Sequence, residues 1–147
     1  MLRMQSKLNC TADEIWPNLG STATFLKVSR PLMNFKSLDP KGLPEQWMEG
    51  KTYGLGMYFL GFIPLGRHTI TFRSIDHENL KIKTEEKGLL IKSWNHTMQV
   101  YVNTSNQLFF QDELKIDNGW MSVPTYVGAY IFFLYRHWKM KRLFHQD

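Results

Sequence analysis

Two side chains stand where acid–base chemistry could start, His96 and Asp112. Each falls in a strand-like run. Residues 91–102 place Trp94, His96, Met98, Val100 and Val102 on one face, and Ser93, Asn95, Thr97, Gln99 and Tyr101 on the other. Residues 108–117 place Leu108, Phe110, Asp112, Leu114 and Ile116 on one face in the same way. This alternation marks a half-buried antiparallel pair with its apolar faces toward the core. A hairpin centred near Thr104 or Ser105 sets His96 opposite, or diagonal to, Asp112 on that inner face. A carboxylate beside an imidazole orients it and raises its basicity, which makes a general base in an apolar pocket. The pair also reads as a buried polar couple that satisfies itself on an apolar sheet face. No activated Ser or Cys accompanies it, so nucleophilic catalysis has no support. Tyr126 and Tyr130 are the candidate proton donors if a reaction takes place there.

The other residues with chemical potential form no recognisable site. His68, His77 and His145 lack metal-ligand spacing, so no metal is expected, and no cofactor motif is present. His77 falls in a turn and is expected in solvent, and His68 opens a strand after Gly66, at the sheet edge or a cavity rim. Gly54-Leu55-Gly56 lacks the third glycine and the Lys-Ser/Thr of a phosphate loop, and reads as a bend in a strand. The aromatics Trp47, Tyr53, Tyr58, Phe59, Trp94 and Phe110 follow the apolar phase and suit a core or cavity wall better than a base-stacking platform. The lone Cys10 excludes an intrachain disulfide.

The elements that position these residues follow from turn and periodicity signals. Residues 2–9 read as a first strand. Thr11-Ala12-Asp13-Glu14 is a capping box that starts a helix near Ala12, with Pro17 confining it to a short one. Gly20 and Ser21 break it, and a second short helix spans 22–28. After Pro31, strand-like runs cover 32–38, 45–49, 53–60, 67–75, 80–87, 91–102 and 108–117. Asp39-Pro40-Lys41-Gly42, residues 61–66, 76–79, Gly88 and 103–106 are the turns between them. Short links of this kind predict an antiparallel meander.

A helix from about Trp120 to Phe144 closes the chain. Trp120, Val127, Ile131, Leu134 and Trp138 form one apolar stripe, broadened by Tyr126, Tyr130 and Phe133. That stripe is expected to face the sheet. Residues 120–135 fall short of the about 20 apolar residues a membrane span needs.

Of the 147 residues, 43% are hydrophobic and 21% charged, the composition of a globular chain with a real core. The net charge is +5, concentrated in Arg136, His137, Lys139, Lys141 and Arg142. This end reads as a solvated basic face that suits the helix dipole. It also offers a docking surface for a partner protein, RNA or an anionic membrane, and no nucleic-acid motif accompanies it. No secretory signal is evident at the start, so a cytoplasmic location is expected and the Asn-x-Ser/Thr triplets at Asn9, Asn95 and Asn103 read as chance.

The chain resembles the helix-grip superfamily of START-related lipid-transfer domains, pollen-allergen-like proteins and polyketide cyclases. The carriers are Thr11-Ala12-Asp13-Glu14-Ile15-Trp16, Trp47-Met48-Glu49-Gly50, Ile63-Pro64-Leu65-Gly66-Arg67-His68, Trp94-Asn95-His96, Asp112-Glu113-Leu114-Lys115-Ile116 and Tyr135-Arg136-His137. The resemblance implies a single domain over 1–147 of the α+β class. A curved antiparallel sheet of about seven strands would wrap a long C-terminal helix, with two short helices after the first strand. It also implies an apolar cavity between sheet and helix. The expected walls are Trp94, His96, Met98, Phe110, Asp112 and Leu114 from the sheet, with Tyr126, Val127, Tyr130, Ile131 and Leu134 from the helix. The expected function is binding, transport or sensing of a hydrophobic small molecule or lipid. The alternative is a polyketide cyclase or dehydratase working in the same cavity.

Overall fold

The computed structural model describes residues 1–89 and 91–145. Seven strands form one antiparallel sheet: β1 (Leu2–Leu8), β2 (Met33–Ser37), β3 (Thr52–Phe59), β4 (Ile63–Asp76), β5 (Lys81–Gly88), β6 (Ser93–Val102) and β7 (Leu108–Asp117). Two short helices, α1 (Ala12–Leu19) and α2 (Thr22–Ser29), follow β1, and the long α3 (Ser122–Leu143) ends the chain after a 3-10 turn at Gly119–Met121. The strand order is β1-β7-β6-β5-β4-β3-β2, so the first strand adds to the last and the rest meander. This is the helix-grip fold that the chain's resemblances imply.

Local chemistry sets the two short helices. Thr11 caps α1 by accepting from the Glu14 amide at 3.3 Å, and Ser21 caps α2 by accepting from the Thr24 amide at 3.3 Å. The buried side of α1 is Ile15 and Leu19, and Val28 anchors α2 in the main core. At the other end, Asn118 joins β7 to α3. Its amide donates to Ser122 Oγ and its side-chain nitrogen to Thr125 Oγ1, both at 2.9 Å.

Residues 45–49 are not a strand. Their one pairing is an isolated bridge between Ser21 and Gln46. The Thr22 amide donates to the Glu45 carbonyl at 3.1 Å, and the Trp47 amide to the Gly20 carbonyl at 2.9 Å. The segment therefore satisfies its backbone against the start of α2 rather than in the sheet. Its anchor is Trp47, stacked on Phe72 at 4.8 Å. The expected turn over 61–66 shrinks to its first residues, because Ile63, Pro64 and Gly66 pair with Phe59, Tyr58 and Met57. A register shift between Met57 and Tyr58 absorbs the extra residue. Gly54 and Gly56 lie in the regular ladder just before that irregularity, not at a bulge of their own.

The largest departure is the face that α3 presents. Trp120, Val127, Ile131, Leu134 and Trp138, the expected inner stripe, are all exposed, as is Tyr130. The buried face is Ala129, Phe133, Arg136, His137 and Met140. A helix that is apolar on nearly every side has no face selected by hydrophobic periodicity. A carboxylate inside the sheet supplies the selection: Asp112 needs buried donors, and Arg136 and His137 are the ones within reach. The basic end is thus divided. Lys141 and Arg142 face solvent as expected, while Arg136 and His137 are core residues.

Candidate functional site: a carboxylate–histidine–arginine network beside a small cavity

The site begins with strand register. His96 of β6 lies opposite Leu114 of β7, and Met98 lies opposite Asp112, so His96 and Asp112 are diagonal neighbours. Their side chains meet, with His96 Nε2 2.6 Å from Asp112 Oδ1. The same inward phase continues one strand further. Thr84 pairs with His96, and Glu86 with Trp94, so Ile82, Thr84 and Glu86 of β5 face inward. Ile70 of β4 lies opposite Glu86, and Phe72 opposite Thr84, which brings His68, Ile70 and Phe72 onto that face too.

Asp112 is fully buried and is the hub. An ionised carboxylate only accepts hydrogen bonds, so all three of its neighbours donate to it. His96 Nε2 donates to Oδ1. Arg136 Nε, at 3.0 Å, and His137 Nε2, at 2.9 Å, donate to Oδ2. Ser6 of β1 supports the arrangement from behind, its Oγ 2.8 Å from His137 Nδ1. Burial pushes Asp112 toward the neutral acid. The Arg136 charge, the His96 ring and the hydrogen bonds from both imidazoles outweigh that and hold it well below the ordinary carboxylate range.

Glu86 forms a second centre. Its Oε1 lies 2.8 Å from His68 Nε2, and Thr84 Oγ1 donates to Oε2 at 3.3 Å. Burial again pushes upward, and the His68 hydrogen bond and charge, with His96, pull the carboxyl below its usual value. His96 stands between the two centres: its Nδ1 is 3.8 Å from Glu86 Oε2, while Nε2 holds Asp112. The buried Nδ1 of His68 has no hydrogen-bond partner among the described residues. Gly88 allows this packing, since a Cβ there would sit 2.8 Å from the Arg67 carbonyl and 3.1 Å from His68 Nδ1.

A cavity of about 50 Å³ opens beside this network. Glu86, His96, Thr84 and Arg136 form its polar wall on the sheet and α3 side, and Asn18 and Thr24 add polar groups from α1 and α2. Leu19, Phe25 and Val28 of α1 and α2, with Trp47, Ile70, Phe72, Met98 and Met140, form the apolar one. Arg136 is central to both. Its Nε serves Asp112 and its Nη2 lies against Met98 Sδ at 2.9 Å, which leaves Nη1 without a protein acceptor among the described residues. The guanidinium also stacks over Phe110, its central carbon 5.4 Å from the ring centre.

Only two of the residues expected to wall the cavity do so, His96 and Met98. Asp112 and Phe110 lie directly behind the wall. Trp94, Leu114 and Tyr126 lie around Phe133 and Ala129, in a separate apolar cluster. Val127, Tyr130, Ile131 and Leu134 face outward, because α3 is turned to bring Arg136 to Asp112. Tyr126 is further committed to β7, its hydroxyl accepting from the Ile116 amide at 2.9 Å. Neither tyrosine is therefore placed to donate a proton to His96. Glu86, Thr84 and Arg136 are the site residues that pattern reading missed. Carrying the β6 phase across to β5 would have found Thr84 and Glu86. For Arg136, the signal was its four-residue spacing from Met140 and three-residue spacing from Phe133.

No curated protein matches the sequence. Solved structures match its shape. Protein CV1439 from Chromobacterium violaceum aligns over 99% of this chain and 97% of its own, with a TM-score of 0.72 at 11% identity. Major latex-like protein 151 from Panax ginseng covers 99% and 97%, with a TM-score of 0.69 at 14% identity. DynU16, from the dynemicin biosynthetic locus, covers 92% of this chain and 45% of its own, with a TM-score of 0.58 at 8% identity. At such identities the likeness is one of fold, and the shared fold is the helix-grip fold. At the level of sequence, a single family model spans residues 6–144, and the chain belongs to that family, described as a domain of unknown function, DUF8410.

Proposed function

We propose that the protein binds a compact hydrophobic molecule carrying one anionic or hydrogen-bond-accepting group. The observation that carries this reading is the cavity between sheet and α3, where an apolar wall meets Arg136, Glu86 and His96. Apolar walls with a few convergent polar atoms are the usual make-up of a ligand pocket. The ligand's body would lie against Phe25, Ile70 and Phe72, and its acceptor would face Arg136.

Size narrows the class. A cavity of about 50 Å³ has room for a few waters, whereas ligand pockets usually run to about 300–1,000 Å³. A whole lipid chain does not fit the closed form. A larger ligand enters only if α1 and α2, which roof the cavity through Leu19, Phe25 and Val28, move outward.

The test is an amide NMR titration with aromatic carboxylic acids, phenols, and short- and long-chain fatty acids. Compact acids should shift the α1, α2 and β5 resonances. Arg136→Lys should weaken binding about tenfold or more while keeping a charge for Asp112. Ile70→Phe, which fills the cavity, should abolish binding in a chain that still folds. Binding that ignores both substitutions would defeat the reading.

A second reading is supported by the position of His96 between two carboxylates on the cavity wall. There an imidazole could move a proton to or from a bound molecule, as an enzyme of the cyclase or dehydratase kind requires. His96→Gln that keeps binding and loses turnover supports it. Unchanged turnover excludes His96 as the base.

A further inference from the structure

We infer that the outer face of α3 docks on an anionic membrane surface, with the helix lying in the plane of the headgroups. The inference does not rest on the ligand reading, since its residues lie on the opposite side of α3 from the cavity.

The surface is a continuous apolar stripe. Trp120, Val123, Val127, Ile131, Leu134 and Trp138 recur every three or four residues along one side of the helix and its leading turn. Trp120 is 89% exposed and Val123 73%, and the other four are about half exposed or more. Scattered exposed apolar residues are ordinary, but a patch running the length of a helix marks an interaction surface.

Charge narrows the partner. From residue 118 to 146 the sequence contains no Asp or Glu. Arg136 is committed to the core, which leaves Lys139, Lys141 and Arg142 at the C-terminal end. Arg142 lies over the Trp138 ring at 5.0 Å and Lys139 over Tyr135 at 5.8 Å, so cation and aromatic are presented together. Lys27 of α2 and Arg30 just after it border a shallow groove with Lys139 and extend the positive edge. An apolar stripe with tryptophans and a cationic border is what an interfacial helix presents to anionic lipid.

A second copy of the chain fits the surface less well. Paired helices use opposite charges beside the seam to set register, and α3 carries only positive ones. Nor does the helix insert across a bilayer, because no helix among the described residues is long and apolar enough to span.

The experiment is vesicle flotation with the full chain. Mixed phosphatidylcholine–phosphatidylserine vesicles are compared with pure phosphatidylcholine at low and high salt. The wild type should float with the mixed vesicles far more than with the neutral ones, and salt should release it. Lys139→Gln/Lys141→Gln/Arg142→Gln should reduce partition on the order of a hundredfold, at roughly fivefold for each cation. Ile131→Glu/Leu134→Glu should abolish it while leaving the circular dichroism spectrum and thermal midpoint unchanged, since both positions are solvent-facing. Tryptophan emission should shift blue on binding, and less so in Trp120→Phe/Trp138→Phe. Absence of flotation, equal binding to neutral vesicles, or wild-type binding by the Glu variant would overturn the inference. So would a concentration-dependent dimer in sedimentation that the Glu variant disrupts while vesicles fail to bind.

Discussion

The two faces of α3 are inverted with respect to ordinary expectation. Its inner face carries a guanidinium and an imidazole, Arg136 and His137, beside Phe133 and Met140. Its outer face, with the turn that leads into it, carries two tryptophans, two valines, a leucine and an isoleucine in water. The inner face is held by directional bonds to one fully buried carboxylate. The outer face makes few demands on the fold at all. The contrast teaches that a buried charge orients an element more sharply than apolar surface does. An unpaired buried charge is strongly unfavourable, whereas an exposed Leu forfeits only its transfer free energy.

The sharpest way to break this comparison is to remove the hub. Asp112→Leu leaves Arg136 buried without a counter-charge and should destabilise the fold by about 3–5 kcal/mol in urea denaturation. Adding Arg136→Met should recover much of that loss, because a buried pair replaced by apolar residues is often neutral. If the double variant is as unstable as the single one, the charge pair is not what orients α3.

Next come paired truncations on the two faces. Phe133→Ala should cost about 3–5 kcal/mol through the cavity it leaves. Ile131→Ala and Leu134→Ala should change stability by no more than about 0.5 kcal/mol. Equal losses on both faces would show that the outer stripe is covered in solution.

A weaker effect is expected from pH. Asp112 and Glu86 both have folded carboxyls held below their ordinary values. The stability they contribute is therefore fully present above the unfolded carboxyl values of about 4. It is lost as pH falls from there toward the lower folded values. Asp112→Asn should flatten the acid limb of a stability–pH curve more than Glu113→Gln, whose exposed partner Arg3 is 3.3 Å away. The smallest change should come from the outer cations. Lys141→Gln/Arg142→Gln should leave stability within about 0.5 kcal/mol of the parent.

Much of the architecture is legible in the sequence. Thr11 and Ser21 cap their helices through their own side chains, and the β6–β7 alternation is local, so both could be read from neighbours in the chain. The His96–Asp112 contact followed from one hairpin register. The segment around Trp47 was misread because its strand-like composition serves a ring stack with Phe72, from a distant strand. The walls of the cavity were misread for a related reason. They depend on the rotation of α3, and that rotation is decided by a carboxylate 24 residues away from Arg136.

What the sequence determined by itself is the order and phase of the elements, because caps, turns and strand alternation act over a few residues. It also contains every member of the polar network, but beyond the His96–Asp112 pair it does not say that they meet. Only the tertiary structure decided which side of α3 is inside, how small the cavity is, and that Glu86, His96, Asp112, Arg136 and His137 form one connected group. The reason is physical: a helix apolar on most sides can satisfy the hydrophobic effect in several rotations, but only one of them brings Arg136 and His137 onto the Asp112 carboxylate.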